Sequence, residues 1–155
     1  MRKVGAIGVL ILLGFIFNAV SVFTDSWLVW SYAKIQVTRG IVPYSSSEPT
    51  WLAAASWMMF ISFGLFFPVI LIYLHASHKV YHHGCCHSIR HNFNGISLLC
   101  SLIVILQAVA FILMAANASD YYGSLGYSAY FALVSGILTT IAMSLSGHVS
   151  RHDCH

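Results

Sequence analysis

Charge is what this sequence has least of. Four Asp and Glu and seven Lys and Arg make up 7% of its 155 residues, where an ordinary soluble domain carries about a quarter. So little charge cannot clothe a water-facing surface, which excludes a typical soluble domain. The basic residues are also too few and too dispersed for a nucleic-acid face. Proline occurs only three times, leaving long helices largely uninterrupted. No Cys-x-x-Cys pair, catalytic triad or cluster of carboxylates is present, and no His pair lies within an apolar run where it could hold a haem. These absences predict a non-enzymatic protein with no cofactor.

What is abundant is hydrocarbon: 59% of residues are hydrophobic and the mean hydropathy is +0.81. The apolar residues gather into four runs, at about 4–23, 51–74, 95–116 and 127–147, each near the roughly 20 residues a membrane-crossing helix needs. Membrane strands would be shorter and alternating, and isolated strands would leave backbone groups unpaired in lipid. The expected fold is therefore an all-α membrane protein, a single domain over 1–155 built as a bundle of four transmembrane helices. An alternative for the first run, which follows Arg2 and Lys3, is a cleaved signal peptide processed near Ala19 to Ser21; that would leave three spans.

With four spans, both termini and the 75–94 loop share one side, which holds Arg2, Lys3, Lys79, Arg90 and Arg151. The other side holds Lys34 and Arg39 among Asp25, Glu48 and Asp120. The positive-inside rule then predicts cytosolic termini, and a multi-pass protein of the plasma membrane. All nine His lie from His75 onward, on that predicted inner side or its membrane edge.

The larger outer loop, 24–50, contains an alternation from Trp27 to Thr38 whose clearest part sets Ala33, Ile35 and Val37 against Lys34, Gln36 and Thr38. Period two predicts a strand. Arg39-Gly40 supplies a turn and 41–44 a short return strand, restricted to an edge by Pro43. A small extracellular antiparallel sheet in the first loop follows. An irregular loop with aromatic residues resting at the lipid interface is the competing reading.

This layout, with the Phe-Thr-Asp-Ser-Trp27 exit from the first helix, the Trp-Leu-Ala-Ala-Ala-Ser56 approach to the second and the Leu-Gly-Tyr-Ser-Ala-Tyr130 approach to the fourth, resembles the claudin-like tetraspan superfamily of claudins, peripheral myelin protein and calcium-channel gamma subunits. The compact length and Gly40-Ile-Val-Pro-Tyr44 look most like the short nematode claudin-like proteins. The resemblance implies partner contact through the outer sheet around Trp27, Trp30, Tyr32 and Ile35, and helix faces that bind partner membrane segments. It implies an auxiliary subunit of a channel or receptor complex, or a junction and adhesion component. The chain departs from claudins in lacking their Gly-Leu-Trp segment and the two Cys of the outer disulfide. Its four Cys are Cys85, Cys86, Cys100 and Cys154, none in an outer loop, so the sheet must depend on packing rather than a covalent staple. That departure weighs against claudin-type pore formation and toward the auxiliary role. The alternative is a small homo-oligomeric channel or transporter, although no ionisable residue lies in mid-span to mark a pathway.

Ser128, Ala132, Gly136, Thr140 and Ser144 recur every fourth residue along the last run, a spacing that lets membrane helices approach closely. They are expected to pack within the bundle, with docking to another subunit as the second reading. Asn18 and Gln107 lie deepest in the spans and are expected to bond across helices. Pro68 is expected to kink the second helix. The inner loop combines His75, His78, His82, His83, Cys85, Cys86, His87 and His91. His82, His83, Cys85, Cys86 and His87 are weak metal candidates, because their spacing matches no established site. Paired Cys85 and Cys86 beside the membrane are better candidates for palmitoylation, and a solvated loop gaining charge near acid pH is equally consistent. Asn117-Ala-Ser119 is a formal glycosylation sequon whose closeness to the third helix argues against its use. The partners expected are the lipid bilayer and other membrane proteins, with a further copy of the chain as an alternative.

Overall fold

A computed structural model describes residues 2–32, 35–42, 49–83, 87–121 and 124–153. Four helices dominate it: α1 (Arg2–Phe23), α2 (Thr50–His83), α3 (His87–Tyr121) and α4 (Tyr127–His148), the last running into a π-helical turn at Val149–Asp153. All four are long and apolar enough to cross a membrane. The protein is thus a mostly helical tetraspan with a small antiparallel sheet. α2 and α3 reach well past the apolar runs that announced them, because hydrocarbon marks where lipid begins and not where a helix must stop. Most of what reads as the inner loop is accordingly helix: α2 continues through His75, His78 and His82, and α3 has begun before Arg90. Pro68 lies inside α2.

The sheet corrects the expected turn. β1 (Leu28–Tyr32) pairs antiparallel with β2 (Ile35–Arg39), in a register from Leu28 opposite Arg39 to Tyr32 opposite Ile35. The chain therefore reverses between Tyr32 and Ile35, not at Arg39-Gly40. Of the expected return strand at 41–44, Ile41 and Val42 are not strand, and 43–44 lie outside the described residues. A third strand, β3 (Ser124–Leu125), comes from the connection between α3 and α4 and pairs with Leu28 and Val29, giving the order β2-β1-β3.

Two apolar clusters fill the bundle. One, nearer the termini, centres on Ile7, Ile11, Phe66, Phe93, Ile96 and Ile103. The other, beneath the sheet, centres on Val22, Trp27, Leu28, Leu52, Met59 and Met114. Between them lies a polar layer. Asn18 Nδ2 donates to Ser62 Oγ at 3.1 Å, joining α1 to α2. Gln107 Nε2 donates to Ser135 Oγ at 3.0 Å, and Ser135 Oγ donates to the Gly14 carbonyl at 2.8 Å, joining α3, α4 and α1. Lipid tails are as apolar as Leu, so such bonds and close packing hold membrane helices together in place of a hydrophobic force.

Different side chains set the different helix spacings. α1 meets α4 through small residues: a Cβ on Gly14 would sit 3.0 Å from Thr139 Oγ1. Against α2 it uses rings instead, with Phe15 stacked on Phe63 at 5.3 Å between centroids and edge-on to Phe66 and Phe67. At the end of the bundle that holds the termini, Tyr73 crosses from α2 to donate to the Val4 carbonyl at 3.1 Å, and its ring occupies the place a Cβ on Gly8 would take. Gly8→Ala is therefore expected to displace Tyr73 and lower stability by about 1–3 kcal/mol. Gly5→Ala, where nothing lies within 4 Å, serves as the near-neutral control, both read by circular-dichroism melting in detergent. Ser135→Ala should cost about 1–3 kcal/mol, since Gln107 loses its acceptor inside the bundle. Ser144→Ala, exposed and bonded only within its own helix turn, should cost less than half as much in the same assay.

Candidate partner-contact surfaces

The sheet end of the bundle is fastened by a compact knot of hydrogen bonds. After α1, Thr24 turns its hydroxyl back to the Val20 carbonyl at 2.6 Å. Ser128, in the first turn of α4, lies 2.6 Å from that hydroxyl and accepts the Ser26 N–H at 3.2 Å. The Ser128 hydroxyl also lies 3.4 Å from the Thr24 carbonyl, to which it can donate. The Gly126 N–H donates to the Trp27 carbonyl at 2.9 Å, the Ser128 N–H to the Ser26 carbonyl at 3.2 Å, and the Trp27 N–H to the Arg39 carbonyl at 3.0 Å. Backbone approaches backbone so closely that a Cβ on Gly126 would fall on the Ser26 carbonyl. The exit from α1, the sheet and the start of α4 are one unit held without a disulfide; among the described residues the one cysteine is Cys100, buried in α3.

Trp27 is inside this unit. It is fully buried, and its indole Nε1 donates to the Ser21 carbonyl at 2.7 Å. It anchors the sheet on the bundle, its side chain enclosed and not on the surface where partner contact was expected of it. A buried indole needs an acceptor, and the last turn of α1 offers unpaired carbonyls. Trp30 and Tyr32 stand on β1 and Ile35 on β2; their side chains fall outside the described residues. Val37 on β2 is exposed.

Along α4 the every-fourth row does not stay on one face. Ser128 and Ala132 are buried, Gly136 and Thr140 are half-buried, and Ser144 is exposed. Four residues turn a helix by about 400°, so such a row drifts around it. The buried residues of α4 are Ser128, Ala129, Ala132, Ser135, Thr139, Ala142 and Ser146; from Ser128 the stripe steps alternately by four and three, close to the helical repeat of about 3.6, which keeps it on one face. Sequence reading missed Ser135, Thr139, Ala142 and Ser146, although a search at alternating steps of three and four would have found them.

Where the row leaves the core it helps to form a groove of about 460 Å³ between α3 and α4, lined among others by Gln107, Ala108, Ala132, Gly136, Ile137 and Thr140. Near the C-terminal end of α2, the His78 and His82 rings lie one turn apart with centroids 4.6 Å from each other. Positions 84–86, with Cys85 and Cys86, lie outside the described residues, as do the side chains of His83 and His87. Among the described residues no three or more His, Cys, Asp or Glu gather as a metal site. Asn117 is within α3, its Nδ2 donating to the Leu113 carbonyl at 2.8 Å, rather than beyond the helix end.

Against known proteins, a family model described as tight junction protein, claudin-like, matches residues 1–155. No curated protein matches the sequence.

Proposed function

From the chain's membership of the claudin-like family of tight junction proteins, we propose that it is a non-enzymatic protein of the plasma membrane, termini in the cytosol, acting through contacts with other membrane proteins. Within that reading it is an auxiliary subunit of a channel or receptor complex, the junction and adhesion role being the second reading within the same family. The observation that carries this is the filled interior: Ile7, Phe66, Phe93, Ile103 and Met114 are fully buried across the two clusters. The polar layer between the clusters bonds helix to helix rather than lining a passage. A single copy so packed leaves its outward faces to do the work. The absence of an outer disulfide supports the auxiliary role, because a sheet that relies on helix packing suits a site sheltered by a partner.

Affinity purification in mild detergent tests the proposal. A larger channel or receptor recovered in fixed stoichiometry is the expected result. Ion conduction by the purified protein alone in planar bilayers would overturn it in favour of a homo-oligomeric channel. Enrichment only where two expressing cells meet would favour the junction role.

A further inference from the structure

The two mid-membrane amides look alike and differ in one respect. In each, the hydrogen-bond network fixes which way the amide points. The Gly14 carbonyl can only accept, so the Ser135 hydroxyl must donate to it. Ser135 is then left as an acceptor for Gln107, which requires the Gln107 nitrogen on that side and its oxygen on the other. Ser62 likewise donates to the Met59 carbonyl, leaving it to accept from Asn18 Nδ2. Asn18 Oδ1 and Gln107 Oε1 are both buried without a hydrogen-bond partner. Only Gln107 lines the α3–α4 groove, where its Oε1 would lie 3.3 Å from a Cβ placed on Gly136.

An amide oxygen facing hydrocarbon costs several kcal/mol in the absence of a donor, and the groove leaves room for one. Lipid does not supply it at this depth: headgroup and sterol donors lie near the interfaces, roughly 15 Å from the bilayer centre. A second copy does not supply it either. Within one turn of this level the exposed residues are Leu12, Leu13 and Ile16 on α1, Ile61, Gly64 and Phe67 on α2, Ile105, Ala108 and Val109 on α3, and Leu133, Val134 and Ile137 on α4. None carries a side-chain donor. The nearby Thr140 hydroxyl is spent on the Gly136 carbonyl at 2.8 Å. Meanwhile Ala108, Ala132 and Gly136 keep the groove shallow enough for another backbone to come close.

We propose that the α3–α4 groove docks a transmembrane helix of a different protein, one that places an amide or hydroxyl donor at the bilayer centre for Gln107 Oε1. This rests on the proposed function and names the surface and the chemistry that recognise the partner. The test needs no native partner. Labelled protein in phosphatidylcholine vesicles is titrated with two Lys-flanked poly-Leu transmembrane peptides, one all-Leu and one with a single central Asn, with energy transfer as the readout. The Asn peptide is expected to bind about three- to tenfold more tightly. That preference should vanish in Gly136→Leu, which fills the groove, and in Ala108→Leu on its other wall, an exposed site whose substitution leaves the fold intact. Gln107→Met should bind both peptides equally. Equal binding by the native protein, or a preference that survives both groove-filling variants, overturns the inference. So does energy transfer between labelled copies that Gly136→Leu abolishes. If the inference fails while a native partner still copurifies with Gly136→Leu, the proposed function stands and only this surface is wrong.

Discussion

Gly126→Ala is expected to open the sheet end of the molecule and cost at least about 3 kcal/mol. The backbone at Gly126 is extended, with φ −87° and ψ 177°, which any residue adopts, so the cost is steric. A Cβ there collides with the Ser26 carbonyl and crowds Val29, and neither can retreat. The Ser26 carbonyl is held by the Ser128 N–H, and Val29 belongs to the strand paired with β3. Relief requires withdrawing α4 from β1, which breaks the Gly126 to Trp27 bond as well. Circular-dichroism melting in detergent measures the loss, and limited proteolysis of the 24–42 segment should accelerate in parallel. An unchanged melt with unchanged cleavage would show that the knot does not bear on stability.

Trp27→Ala is the second large effect, expected at about 3–5 kcal/mol. The side chain is completely enclosed, so its removal leaves a cavity under the sheet as well as an unused acceptor at the end of α1. Trp27→Phe separates the contributions: it keeps most of the filling and loses the Nε1 bond, for about 1–2 kcal/mol. A Trp27→Ala melt equal to that of the native protein would show that Trp27 does not anchor the sheet.

Both predictions concern a unit whose halves were visible in the sequence and whose joining was not. Phe-Thr-Asp-Ser-Trp27 and Leu-Gly-Tyr-Ser-Ala-Tyr130 each stood out as motifs, but nothing in one-dimensional order says that Ser26 bonds Ser128 across 102 positions. The four spans were legible because spanning a bilayer imposes a length and a composition at once. Their inner ends were not, since the His-rich segments after Leu74 and before Gly95 are polar yet compatible with helix. The hairpin was half legible. Its alternation belongs to β2 alone, where Ile35 and Val37 oppose Gln36 and Thr38. Leu28, Trp30 and Tyr32 carry the first strand in the other parity, and Ala33-Lys34 between them lacks the Gly or Asn that usually signals a two-residue reversal. A two-residue strand such as β3 is too short for any period to register. At the groove the sequence offered Gln107 and Gly136 separately; only the direction of the Ser135 hydroxyl reveals which atom of Gln107 is left over.

The polar layer also decides how the molecule meets bilayers of unequal thickness. Asn18 with Ser62, and Gln107 with Ser135 and Gly14, pin all four helices at one height. A telescoping bundle could match a thinner or thicker membrane by sliding its helices past one another. This one would have to break buried bonds to do so. It therefore answers hydrophobic mismatch as a single body, by leaning or by deforming the surrounding lipid, and the sheet fastened to α4 leans with it. Where it answers by leaning, membrane thickness alters the angle at which the sheet is offered to its neighbours.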